Sequence, residues 1–151
     1  MAQLTGKVCL VTGASRGVGK GVALGLAQAG ATVYVTARSG QAVHGGHLPG
    51  SLQQTVSEID ALGGKGVGVV CDMGDDSQIA ALCQRIEKEH GGLDILVNCA
   101  IALPDDIVNP QPFWEKSFAQ VDVLTVGLRS NYVMAYYAAP LLIQNQGLMV
   151  S

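Results

Sequence analysis

The junction from Val8 to Gly19 restricts this chain more than any other feature. An apolar run, Val8 to Val11, leads directly into Thr12-Gly13-Ala14-Ser15-Arg16-Gly17-Val18-Gly19, and a helical pattern follows. A continuous apolar run reads as a strand buried on both faces, as in a parallel sheet. The glycines permit a sharp turn, and a helix starting near Arg16 aims unpaired N–H groups and the positive end of its dipole at whatever the turn holds. Such a junction cradles phosphate, and a dinucleotide pyrophosphate fits it. In this reading Gly13 makes the turn, Gly17 admits the ligand and Gly19 lets the helix pack close to the sheet, with Ser15 and Val18 lining the same site. The chain has 20 glycines, so the spacing gains its weight from the strand before it and the helix after it.

Strands and helices then take turns. Val18, Val22, Leu26 and Ala29 mark one helix face, Gly30 ends that helix, and Thr32 to Thr36 reads as the second strand. After a loop from Ser39 to Gly50, Leu52, Val56, Ile59 and Leu62 predict a helix stopped by Gly63 and Gly64, and Lys65 to Cys71 a third strand. Asp75, Asp76 and Ser77 are candidate caps for a helix whose inner face is Ile79, Leu82, Cys83 and Ile86, and Leu93 to Asn98 supplies a fourth strand. A proline-bearing loop leads to a long helical region from about Ser117 to Ile143, and Gly147 to Ser151 begins a fifth strand. The expected fold is α/β: a doubly wound, Rossmann-like parallel sheet in one domain, residues 1–151, cut off after the start of its fifth strand.

Composition narrows the partners. With 48% hydrophobic and 14% charged residues the chain suits a heavily buried sheet, and a net charge of −3 argues against nucleic acid. The longest apolar stretch, Tyr132 to Ile143, is too short to span a bilayer, and the few residues before the first strand leave no room for a signal peptide, so a cytoplasmic protein is expected. Cys9, Cys71, Cys83 and Cys99 lack metal-site spacing and read as buried thiols, while His44 and His47 read as part of a solvated loop.

Ligands of such sheets gather at the carboxyl ends of the strands. Where an acidic side chain would hold the ribose 2′-hydroxyl of NAD, the second strand ends in Ala37 followed by Arg38. This favours NADP(H), because a guanidinium pairs with the extra phosphate and Arg16 brings a second positive charge; the alternative is two ordinary surface arginines. Asp72, past the third strand, either caps its loop or bonds the adenine amino group, and its position favours the adenine; Met73 beside it joins the cofactor-lining group. Asn98 closes the fourth strand, its amide bracing the sheet or its backbone lining the cofactor together with Ala100.

These residues resemble the short-chain dehydrogenase/reductase family, through Thr12 to Gly19, Asp72 and Leu93-Asp94-Ile95-Leu96-Val97-Asn98-Cys99-Ala100. Leu48-Pro49-Gly50, Pro112-Phe113-Trp114-Glu115 and Val126-Gly127-Leu128-Arg129-Ser130 are similar to one branch of it. The resemblance implies NADPH-dependent reduction of lipophilic ketones, and a homo-oligomer built on the long helix. It also implies an asparagine, a serine and a tyrosine–lysine pair as catalytic groups. Leu124 stands at the asparagine's place, Cys99 replaces an amide that braces the sheet, and Ser151 falls about three residues before the serine. No catalytic residue is therefore assigned, and the chain is expected to be the amino-terminal part of a reductase, inactive by itself. Val133, Met134, Tyr137, Leu141 and Leu142 are expected to lie uncovered on the long helix, and Tyr132 and Tyr136 to be core or interface aromatics. The alternatives are a silent NADP-binding or dimer-partner module and a nonfunctional product.

Overall fold

The computed structural model describes residues 3–40 and 50–151. Its strands are β1 (Val8–Thr12), β2 (Thr32–Ala37), β3 (Lys65–Val70), β4 (Ile95–Asn98) and β5 (Leu148–Val150). Between them lie the helices α1 (Gly17–Gln28), α2 (Leu52–Ala61), α3 (Asp76–His90) and α4 (Ser130–Asn145). Every strand pairing is parallel, in the order β3-β2-β1-β4-β5. The doubly wound Rossmann-like sheet read from the sequence is the fold observed. Its order reverses between β1 and β4, which opens a crevice above their carboxyl ends.

β1 is buried from end to end because it has a strand on each side and a helical layer on each face. Its alternating side chains divide the core in two. Val8 and Leu10 join Ile79, Leu82 and Ile86 of α3 and Met134 and Leu141 of α4. Cys9 and Val11 join Ala23 and Ala27 of α1 and Leu52 and Ile59 of α2. At the opposite end of the sheet, Asp94 ties β4 to β1: its carboxylate accepts the Val8 N–H at 2.9 Å and pairs with Lys7 at 2.9 Å.

Three expectations need correction. The inner face of α1 is Gly19, Ala23 and Ala27, one residue away from the expected stripe, and Val18 at the helix start is 78% exposed. Small residues win that face because they let the helix approach the sheet closely, while Val22 and Leu26 pack along its flanks. The long helical region is interrupted at Val126 and Gly127, where φ at Gly127 is +145°, so α4 begins only at Ser130. Pro140 does not end α4; the carbonyl it deprives of a partner belongs to Tyr136, on the exposed side where water can serve it. Finally, Met134, Leu141 and Leu142 are core residues, and the uncovered side of α4 carries Tyr132, Tyr136 and Ile143 instead. The 3.6-residue period sets this: 134, 138 and 141 share the face toward the sheet, and 132, 136 and 143 point away.

Candidate dinucleotide-binding site

The turn after β1 is held from several sides. Gly13 has φ +64°, and a Cβ there would lie 2.6 Å from the Cα of Ala100, so only glycine fits where the turn passes the end of β4. Thr12 Oγ1 accepts the N–H groups of Cys99 and Ala100, each at 3.1 Å, which stitches the ends of β1 and β4 together. The Ala14 N–H donates to the Thr36 carbonyl at 2.9 Å, and the Ala14 carbonyl accepts the Thr55 hydroxyl at 2.9 Å. A Cβ on Gly19 would overlap the Gly13 carbonyl oxygen, so its smallness serves the turn itself as well as the approach of α1.

Beyond this frame the site opens. Gly17, the first residue of α1, has φ +58° and open space where a Cβ would be. Arg16 precedes it in an extended conformation; no side chain caps the helix, and its first turn carries no acidic residue. An uncapped, acid-free helix start leaves N–H groups and a positive dipole end for an anion, so the residues present fit a pyrophosphate. Ser15 is half-buried in the same turn and Val18 stands exposed at its mouth.

The neighbouring strand ends complete the crevice. Arg38 is exposed directly after β2, whose last residue is Ala37. Asp72 performs the loop-capping role: its Oδ1 accepts the Gly74 N–H at 2.8 Å, while its own N–H donates to Gln78 Oε1 at 2.8 Å. Met73 is 3% exposed with its side chain in the core, so its main chain is the part that can face a ligand. His44, His47 and the segment Leu48-Pro49 lie outside the described residues.

Beside the end of β4 lies a cavity of about 350 Å³, lined by Asn98, Cys99, Ala100 and Ile101 from the strand end and by Val123, Leu124, Gly127, Leu128 and Asn131 around the helical break. The Asn98 amide nitrogen donates to Ser151 Oγ at 3.0 Å, but its Oδ1 is buried without a partner, as is Oδ1 of Asn131. The walls are otherwise mainly apolar, so the cavity suits an apolar molecule. Asn131 went unnoticed in the sequence, where it is one polar residue in an apolar helix; its spacing of four from Gly127 was the available signal. Thr55 was missed as well, because an isolated threonine carries no motif, and Thr12, although it opens the glycine stretch, gave no sign that its hydroxyl joins β1 to β4.

Burial quiets the thiols. It pushes Cys9 and Cys83 up to about 12 and Cys71 up to about 11, and raises Cys99 as well, so all four remain protonated at neutral pH. Among the described residues no group of three or more His, Cys, Asp or Glu could hold a metal ion, and no helix is long and apolar enough to cross a membrane.

The short chain dehydrogenase family model matches residues 7–151. The chain belongs to the short chain dehydrogenase family. It is 42% identical over 155 residues to dehydrogenase/reductase SDR family member 1 of Mus musculus, an alignment covering 99% of this chain and 47% of that protein. The chain thus spans about half the length of the curated relatives it matches. Among solved structures, a metagenomic short-chain oxidoreductase in complex with NADP matches with a TM-score of 0.77 and 30% identity, over 97% of this chain and 62% of that one. A 7α-hydroxysteroid dehydrogenase complexed with NADH and 7-oxo glycochenodeoxycholic acid matches with a TM-score of 0.77 and 28% identity, over 98% and 53%. The nicotinamide dinucleotide expected at the glycine turn accords with the family, an oxidoreductase family.

Proposed function

We propose that residues 1–151 are the NADP(H)-binding part of a carbonyl reductase of the short-chain type. Arg38 carries the choice of cofactor: it follows β2 directly where a carboxylate would otherwise hold a ribose hydroxyl, and Arg16 lies in the adjoining turn. A guanidinium and a 2′-phosphate pair bidentately, whereas a carboxylate at Ala37 would repel that phosphate. Likeness to solved relatives does not make this choice, since one holds NADP and another NADH. The remaining cofactor contacts fall to Gly13, Ser15, Gly17, Val18 and Gly19 at the turn, to Asp72 toward the adenine, and to Asn98 and Ala100 at the end of β4.

When bound, the reduced nicotinamide supplies hydride to a carbonyl carbon. The apolar cavity walls, Ile101, Val123, Leu124 and Leu128, support a lipophilic ketone as the substrate class. The alkoxide produced needs a proton, and no tyrosine in these 151 residues is followed four positions later by a lysine. Leu124 can neither donate nor accept a hydrogen bond. A site without general acid catalysis typically works about a hundred- to ten-thousand-fold more slowly, so these residues contribute binding rather than proton delivery. The exposed Tyr132, Tyr136 and Ile143 on α4 favour a second reading alongside the first, association with another copy or a longer relative.

Calorimetric titration tests the cofactor assignment. NADPH is expected to bind at least about tenfold more tightly than NADH, and Arg38→Ala to erase that preference, as a lost charged hydrogen bond implies. Equal affinities in the wild type, or a preference that survives Arg38→Ala, would contradict it.

A further inference from the structure

We infer that the start of α2 is a working part of the dinucleotide site, with Thr55 as a positioning residue that sets the phosphate turn. The inference rests on the reading that this turn holds the diphosphate. Thr55 is fully buried, and its hydroxyl has one proton to give. A helical threonine ordinarily returns that proton to the carbonyl four residues back. Here the carbonyl of Ser51 is 3.2 Å away, but the carbonyl of Ala14, 41 positions distant in sequence, is closer at 2.9 Å.

Ala14 is thereby fixed twice, its N–H by Thr36 at the end of β2 and its carbonyl by Thr55. A trans peptide is planar, with its N–H opposite its carbonyl. Holding the Ala14 carbonyl toward α2 therefore aims the Ser15 N–H the other way, out of the helix–turn contact. The orientation of a donor in the turn is set by a side chain that a bound diphosphate need not touch.

The approach of α2 depends on Gly50. It has φ +135°, a Cβ there would overlap the Ser15 carbonyl oxygen, and the Arg16 Cβ would lie 3.1 Å away. Ser51 then caps α2 by accepting the Gln54 N–H at 3.1 Å, and Glu58 one turn beyond Thr55 pairs with Lys20 of α1 at 2.8 Å. With Leu52 and Ile59 in the core, α2 is seated on the sheet and the turn is seated on α2.

Thr55→Val keeps the shape and removes the donor, Thr55→Ser keeps the donor, and Ile86→Val loosens the core on the α3 side without touching α2 or the turn. Amide hydrogen exchange of the nucleotide-free chain reads the positioning directly. Thr55→Val is expected to speed exchange at Ala14, whose N–H is held on the Thr36 carbonyl, and to weaken NADPH binding, each by about tenfold for one lost hydrogen bond. Thr55→Ser should restore both, Ile86→Val should change neither, and Gly50→Ala should reproduce both changes with Thr55 in place. Wild-type exchange at the turn in Thr55→Val, or an Ile86→Val variant that behaves the same way, would overturn the inference. Exchange is measured without nucleotide, whereas wild-type NADPH affinity tests the dinucleotide reading, so the two ideas fail separately.

Discussion

At the phosphate turn both main-chain groups of Ala14 and the hydroxyl of Thr12 have protein partners, whereas the cavity beside β4 encloses two amide oxygens, of Asn98 and Asn131, that have none. The two regions share the carboxyl edge of one sheet. The first is organised before any ligand arrives, so binding there need not be offset by ordering the backbone. The second has buried acceptors whose desolvation is uncompensated within the chain. Both main-chain groups of Ala14 are thus fixed on the β1 side of the switch point, while unmet acceptors lie in Asn98 and Asn131 toward α4 and in the Thr36 hydroxyl on β2.

Substitutions that exchange these conditions should have unequal effects. Thr12→Val strips the acceptor from two N–H groups at once and is expected to cost about 2–4 kcal/mol by denaturant unfolding, since each buried unpaired donor costs about 1–3 kcal/mol. A loss below about 1 kcal/mol would mean that water replaces the hydroxyl and that the turn is less closed than described.

A smaller effect is expected at the far end of the sheet. Burial alone would raise the Asp94 carboxyl, but the Val8 N–H, Lys7 and Asn145 outweigh it and hold it below the ordinary carboxylate value. The folded form thus prefers the charged carboxylate, and its contribution is present above the unfolded value near pH 4 and lost as pH falls through the lower folded value. Asp94→Asn should cost about 1–3 kcal/mol at neutral pH, with the gap to wild type closing below about pH 4. A gap that stays constant down to acid pH would remove the charge from the explanation.

Asn131→Leu should be neutral or stabilising by up to about 1 kcal/mol, because it removes an unpaired acceptor, keeps the branching and has the adjoining cavity to take its larger methyl groups. Destabilisation comparable to that of Thr12→Val would show that this amide is satisfied after all. The thiols give the smallest signal: in the folded chain Cys99, half-buried between the two regions, should alkylate first, and Cys9, Cys71 and Cys83 only on unfolding. Prompt labelling of Cys9 by mass spectrometry would place an opening in the core beneath the turn.

The sequence displayed the alternation of strands and helices because a parallel sheet demands apolar strands and punctuating glycines, and β1 to β5 lie where those signals occur. It was a poor guide where packing depends on smallness. Gly19, Ala23 and Ala27 score weakly as hydrophobes, yet they set how near α1 comes to the sheet. The break at Gly127 and the continuity through Pro140 invert the usual expectations for these residues, because local backbone freedom and solvent access decide both. The glycine turn after β1 and the place of Arg38 directly after β2 were legible from spacing. Thr55 and Asn131 were not, since their partners and neighbours come together only after the chain has folded.

The central claim, that the turn from Gly13 to Gly19 receives the diphosphate, is tested most directly by following backbone amide resonances while NADPH is added. The account predicts that Ser15, Arg16 and Gly17 shift first and most strongly, with Arg38 responding to NADPH but not to NADH. Saturable binding that leaves those turn amides unmoved would contradict it.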